Sequence, residues 1–135
     1  QIDYKDDWNK IHLKTLKTAY SSSPFFEFYI DDLLPIFKKK FTYLLDLNLS
    51  CHEFLMDALQ LEIPTTKTVE YNKEVNFIDY RNLAIAKTAT QFNLDSYFQV
   101  FNENQGFISN LSILDLIFME GPNALNYLES QTIKF

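Results

Sequence analysis

Between Trp8 and Gln60 apolar side chains return every three or four residues, and after Leu61 that spacing is lost. A period near 3.6 places such residues on one face of a helix, so the first half of the chain is predicted to be helical. An extended lead, Gln1 to Lys5, precedes a first helix capped by Asp6 or Asp7, with Trp8, His12, Leu16 and Ala19/Tyr20 along its apolar face. Ser21-Ser22-Ser23-Pro24 interrupts it. Ser23 as cap and Pro24 in the first turn then start a second segment, because proline lacks only an N–H that is free there anyway. Phe25, Phe26, Phe28, Tyr29 and Ile30 make that segment apolar almost all round, which predicts deep packing. Asp31-Asp32 are expected to cap a third helix, with Pro35 near its start and Phe37, Phe41, Leu44 and Leu45 as its buried stripe, ending about Leu47. Ser50-x-x-Glu53 reads as a capping box opening a fourth helix through Leu55, Met56, Ala58 and Leu59 to about Gln60.

Beyond the breaker Ile63-Pro64 the pattern is different. Thr65 to Tyr71 is rich in β-branched residues and Tyr97 to Phe101 alternates, so both read as strands that pair. Residues 72–91 carry mixed signals. Gly106 marks a turn, and Ser109 or Asn110 is expected to cap a helix through Leu111, Leu114, Asp115 and Phe118. Gly121-Pro122 ends that helix, and a last short one runs from Asn123 to about Gln131. The expected fold class is therefore α+β and predominantly helical: helices in the first half, a small β-sheet and short helices in the second, in one domain over residues 1–135.

With 47% hydrophobic residues, thirteen Phe and eight Tyr, the chain has the material for one real core. A chain of this length buries roughly two thirds of its unfolded surface. The net charge of −6 disfavours nucleic acid, whose affinity comes from cations neutralising phosphates, and disfavours anionic membrane surfaces equally. No apolar run approaches the length of a membrane span, and no secretory signal is visible. The lone Cys51 permits no internal disulfide, which suits a reducing, cytoplasmic setting.

No general catalytic motif is present. Two glycines cannot make a phosphate-cradling loop, and His12, His52 and Cys51 lack the spacing of a metal site. No cofactor is indicated. Trp8 and His12 stand one helical turn apart, which reads either as a stacking surface beside a proton-handling group or as a half-buried helix face. Asp79-Tyr80-Arg81 holds the only arginine among twelve basic residues, so its planar fork either grips a carboxylate or phosphate or forms a structural ion pair with Asp79 or another acid. Asn110 and Ser112 lie near a helix start, where free N–H groups favour anions, and Asp115 follows among apolar neighbours. The alternative there is helix capping by Asn110 plus one structural hydrogen bond accepted by Asp115, for which Arg81 is the first partner to consider. Cys51 beside His52 reads as a structural thiol, and Lys38-Lys39-Lys40 as a solvated face.

The run Gly106-Phe107-Ile108-Ser109-Asn110-Leu111-Ser112-Ile113-Leu114-Asp115-Leu116-Ile117-Phe118, followed by Glu120-Gly121-Pro122, resembles a signature of the WbqC-like family. The family's usual run is Gly-Phe-Ile-Pro-Asn-Leu-Ser-Ile-Leu-Asp-Leu-Leu-Phe, so Ser109 stands where proline is usual. Trp8-x-x-x-His12, Ala19-Tyr20 leading into Ser23-Pro24-Phe25-Phe26, Asp79-Tyr80-Arg81 and Tyr97-Phe98-Gln99-Val100-Phe101 resemble the family as well, in order along the chain. The resemblance implies a setting in bacterial surface-polysaccharide (O-antigen) synthesis and a role in transferring an amino acid such as glycine, or an acyl group, to a small-molecule or sugar precursor. In that reading Trp8 and Tyr80 bind substrate, Arg81 holds its carboxylate or phosphate, and His12 handles the proton. Gly106, Asn110, Ser112 and Asp115 form a structural motif supporting the site. The other reading is a noncatalytic binding or assembly module. Family members also begin with a His-x-Pro-x-Tyr-Leu-Pro type motif and a later Asn-Arg pair, neither of which occurs here, so the chain is expected to be the C-terminal part of a longer protein.

Overall fold

The computed structural model describes residues 1–76, 78–84 and 92–132. Six helices account for its regular structure: α1 (Trp8–Tyr20), α2 (Phe26–Lys38), α3 (Leu44–Ala58), α4 (Asn102–Gln105), α5 (Ile113–Glu120) and α6 (Ala124–Ser130). Short 3₁₀ turns lie at Arg81–Ala84 and Gly121–Asn123. The centre of the fold is α2, which packs against α1, α3 and α5. Its buried residues are Phe26, Tyr29, Ile30, Leu33 and Ile36, one stripe at helical spacing. Phe41, Phe54, Leu59, Leu116, Ile117, Phe118 and Ala124 complete the core. Ile117 and Phe118 are wholly buried, and each such side chain contributes about 1.5–3 kcal/mol relative to exposure.

The stripe on α2 overrides two local signals. Asp31 and Asp32 do not cap a new helix; they lie exposed in the middle of α2, outside its core stripe. Pro35 is likewise inside α2 and exposed, where it removes one helical hydrogen bond without breaking the helix. The same geometry corrects the expectation of all-round packing, because Phe28 is 72% exposed. The helix ends at Lys39, whose N–H donates to the Pro35 carbonyl before the chain turns extended.

The break between α2 and α3 comes from a distant partner. Phe41 is buried, and its N–H donates to the Tyr4 hydroxyl at 2.9 Å while that hydroxyl lies 3.4 Å from the Phe41 carbonyl as donor. The Ile2 N–H donates to the Thr42 carbonyl at 3.0 Å. The extended lead thus satisfies backbone that a helix would have satisfied internally. Leu44 and Leu45, expected in a buried stripe, are mostly exposed at the start of α3. Ser50 and Glu53 lie within α3 and cap nothing.

Among the described residues there is no strand, so the expected α+β class with its small β-sheet is replaced by a helical fold with long irregular connections. Residues 62–74 are all exposed and Val69 is 100% accessible. β-branched side chains favour strands where they fit a half-buried pleated surface, and Thr65 to Tyr71 has no such surface to lie on. The other expected strand, Tyr97 to Phe101, runs extended as far as Gln99 and then turns into α4. Its alternation is real, but side chains hold it. The buried Gln99 amide donates to the Ile108 carbonyl and accepts from the Ile108 N–H, both at 2.8 Å, in place of a neighbouring strand. Nearby, the Tyr127 hydroxyl donates to the Asp95 carbonyl at 2.5 Å, and the Asp95 N–H donates to Gln131 Oε1 at 2.8 Å.

Candidate functional site

On α1, Trp8 and His12 meet edge to face with ring centroids 5.5 Å apart, and Tyr4 stacks on the other side of Trp8 at the same separation. The indole N–H donates to the Asp3 carbonyl at 3.0 Å, which fixes its tilt. Asp7, at the N-cap position, has φ 48° and makes no side-chain cap; its carboxylate pairs instead with Lys10 at 3.0 Å. The apolar face of α1 is carried by Leu13, Leu16 and Tyr20, with His12 on the exposed side. A three-ring ladder, Tyr4–Trp8–His12, therefore ends in an imidazole open to solvent.

Arg81 lies in a different neighbourhood. Its Nε and Nη2 donate to the Asp79 carboxylate at 2.9 and 2.6 Å, Nη1 donates to the Asn72 carbonyl at 2.8 Å, and Nη2 to the Lys73 carbonyl at 3.1 Å. The guanidinium also lies 5.3 Å from the centre of the Tyr71 ring. These hydrogen bonds to Arg81 hold the Asp79 carboxyl down at about 2. The fork clasps the segment from Asn72 to Arg81 into a closed loop. Beside it lies a cleft of about 680 Å³ lined by Val69, Tyr71, Val75, Ile78 and Tyr80 together with polar residues of the same segment. His12 and Asp115 are not in its lining. Arg81→Lys keeps the charge but removes the donors that reach two carbonyls and a carboxylate together. The expected result is faster proteolytic nicking between Asn72 and Arg81 with little change in global melting temperature. Unchanged nicking would show that the fork does not hold the loop.

The C-terminal motif is built around Asp115, which is 2% exposed. It is held by a tyrosine, not by Arg81: the Tyr97 hydroxyl donates to Oδ2 at 2.8 Å, and the Tyr20 hydroxyl lies close enough to feel the same carboxylate. Burial, reinforced by the neighbouring carboxylate, raises the Tyr20 hydroxyl to about 12, and burial likewise raises that of Tyr97. Asp115 thereby joins the 92–101 segment to α5, with Tyr20 of α1 beside it. Ser112, not Asn110 or Ser109, caps α5, its hydroxyl accepting from the Leu114 N–H at 3.3 Å. Asn110 instead takes φ 58°, a conformation that Asn tolerates better than most residues. The Ser109 hydroxyl donates to the Phe92 carbonyl at 2.6 Å. Gly106 has φ 68° and closes α4, as its turn reading required.

Sequence reasoning missed one contact of consequence. Gly121 ends α5 with φ 52°, and a Cβ there would lie 2.5 Å from the Phe25 ring. The Phe25 N–H donates to the Phe118 carbonyl at 3.0 Å. The Ser23-Pro24-Phe25-Phe26 and Phe118–Pro122 motifs are thus one packed unit. Cys51 is half-buried and burial raises its thiol, which favours the unreactive protonated form.

Comparison with curated proteins and with solved structures gives no match. A family model, that of the WbqC-like protein family, matches residues 1–99. The match takes in the Trp8–His12 ladder, the Ser23–Phe26 turn and the Asp79–Arg81 clasp; the Gly106–Pro122 run lies beyond it. On a match across most of its length, this chain belongs to the WbqC-like protein family.

Proposed function

We propose that the chain serves bacterial surface-polysaccharide synthesis as a noncatalytic binding or assembly module. Family membership supports the setting. The observation that carries the role is the apolar character of the 69–80 cleft: Val69, Tyr71 and Ile78 are 100%, 78% and 74% exposed yet line one concavity. Apolar side chains gathered on a surface mark an interaction site. The guanidinium beside them is already engaged by its own loop, which disfavours it as a clamp for substrate carboxylate or phosphate. The test replaces Val69 and Ile78 with Asp and follows co-purification with the enzymes of polysaccharide assembly in a bacterial host. Loss of a stable complex with retained folding is the expected outcome. Transfer of an amino acid or acyl group to a sugar precursor by the chain alone would overturn the reading.

One observation favours an amino-acid or acyl transferase instead, namely the Tyr4–Trp8–His12 ladder with its solvent-facing imidazole. There Trp8 stacks on a small-molecule or sugar-precursor substrate, His12 moves a proton, and Tyr80 and Arg81 contact the acceptor. That reading requires His12→Gln to abolish transfer while leaving stability unchanged.

A further inference from the structure

The groove between α2 and α3, about 480 Å³, has an apolar floor of Tyr29, Ile36 and Phe54. Its rim is acidic, with Asp32 on α2 and Glu53 and Asp57 on α3. All three carboxylates are exposed, and none has an ion pair or side-chain hydrogen bond among the described residues. Glu53 and Asp57 stand four residues apart on one helix, an arrangement that is repulsive unless a cation intervenes. No Lys or Arg lines the groove, and α3 contains neither. At one end Phe28 is 72% exposed, stacked edge-on against Tyr29.

We propose that this groove docks a cationic amphipathic helix of another protein. Phe28, open to solvent at the end of the groove, calls for an apolar partner side chain, and the rim calls for Lys or Arg flanking it, the pattern by which a helix is held in a groove. A metal ion is a poor occupant, since no group of three carboxylate, histidine or cysteine ligands among the described residues is placed to hold one. A small polyamine would leave Phe28 uncovered. A second copy of the chain is disfavoured because each copy carries −6, whereas the same charge draws a cationic partner toward the rim. The proposal names the partner chemistry for the assembly reading above but uses a separate surface, so either can fail without the other.

The probe is a fluorescent synthetic helix with Lys on one face and Leu on the other, titrated by anisotropy at physiological salt. The variant D32N/E53Q/D57N is expected to bind it at least about tenfold more weakly, a difference of about 1.4 kcal/mol. Phe28→Ser is expected to weaken binding too, since it removes the apolar end of the groove. D6N/E62Q/E129Q carries the same net charge change at exposed positions outside the groove and is expected to bind as the parent does. All seven substitutions are at exposed sites, and circular dichroism confirms that each variant is folded. Equal weakening by both triple variants would reduce the effect to bulk charge and overturn the proposal, as would full binding by Phe28→Ser. Sedimentation showing parent self-association that D32N/E53Q/D57N abolishes would assign the groove to a second copy and overturn it as well.

Discussion

Gly121→Ala is expected to destabilise the fold by about 3 kcal/mol, combining roughly 1–3 for backbone strain at positive φ with a comparable overpacking cost. Either contribution alone would be modest. Here they act together, because the residue ends α5 at φ 52° and its missing Cβ is where the Phe25 ring sits. The ring cannot simply move aside: Phe25 is fixed through its own N–H on the Phe118 carbonyl, and Phe118 is wholly buried against Phe26 and Tyr20. Phe25→Ala removes the clash at the cost of a packing group. The double variant is therefore expected to be more stable than the sum of the single effects predicts. Urea denaturation measures all three. Strict additivity would mean that Gly121 and Phe25 do not press on one another.

What the sequence made legible follows the range of the interaction. Trp8 and His12 are one turn apart on one helix, and their contact could be read from spacing alone. The α2 stripe was misread as all-round packing, and Asp31-Asp32 and Pro35 suggested a boundary that burial of Leu33 and Ile36 overrode. The break at Phe41 was illegible because Tyr4 makes it, 37 residues away. Thr65 to Tyr71 shows the converse error: local β preference is real, but a strand needs a neighbour, and none is present among the described residues. Gln99 shows a subtler one. Its alternating surroundings mimic a strand, while a side-chain amide makes the pair of hydrogen bonds that a partner strand would supply.

The candidate site divides the same way. The Asp79–Arg81 pair was one of two readings open at the outset, two residues apart and chemically complementary. The carbonyls of Asn72 and Lys73, which complete the clasp, carry no side-chain signature and could not be anticipated. The need for a partner to Asp115 was legible from its apolar neighbours, but its identity was not. A lone arginine was the obvious choice for a buried carboxylate; the Tyr97 hydroxyl does the same work with less charge to bury.

Asp115→Ala is accordingly expected to destabilise the fold by about 3 kcal/mol, because it removes the charge-assisted hydrogen bond from Tyr97, leaves that hydroxyl without an acceptor and empties a buried site. Tyr97→Phe strips one donor from a carboxylate that is 2% exposed, and should cost about half as much. In a double-mutant cycle the Asp115 and Tyr97 changes are expected to couple by about 0.5–3 kcal/mol, while Asp115 and Arg81 changes should add independently. The alkaline limb of stability follows from the same cluster. Tyr20 and Tyr97 ionise at higher pH in the folded chain than in the unfolded one, since burial and the Asp115 carboxylate both oppose a tyrosinate. Between the unfolded tyrosine value near 10 and the folded Tyr20 value of about 12, the unfolded chain binds fewer protons than the native one. The cluster's contribution is therefore complete below pH 10 and is lost as pH rises through 12. Urea midpoints should fall across that window in the parent, and fall less steeply when Tyr20 and Tyr97 are both Phe. An identical alkaline slope in parent and double-Phe variant would mean that folding does not shield these hydroxyls, and the buried Tyr20–Tyr97–Asp115 cluster would have to be given up as a source of stability.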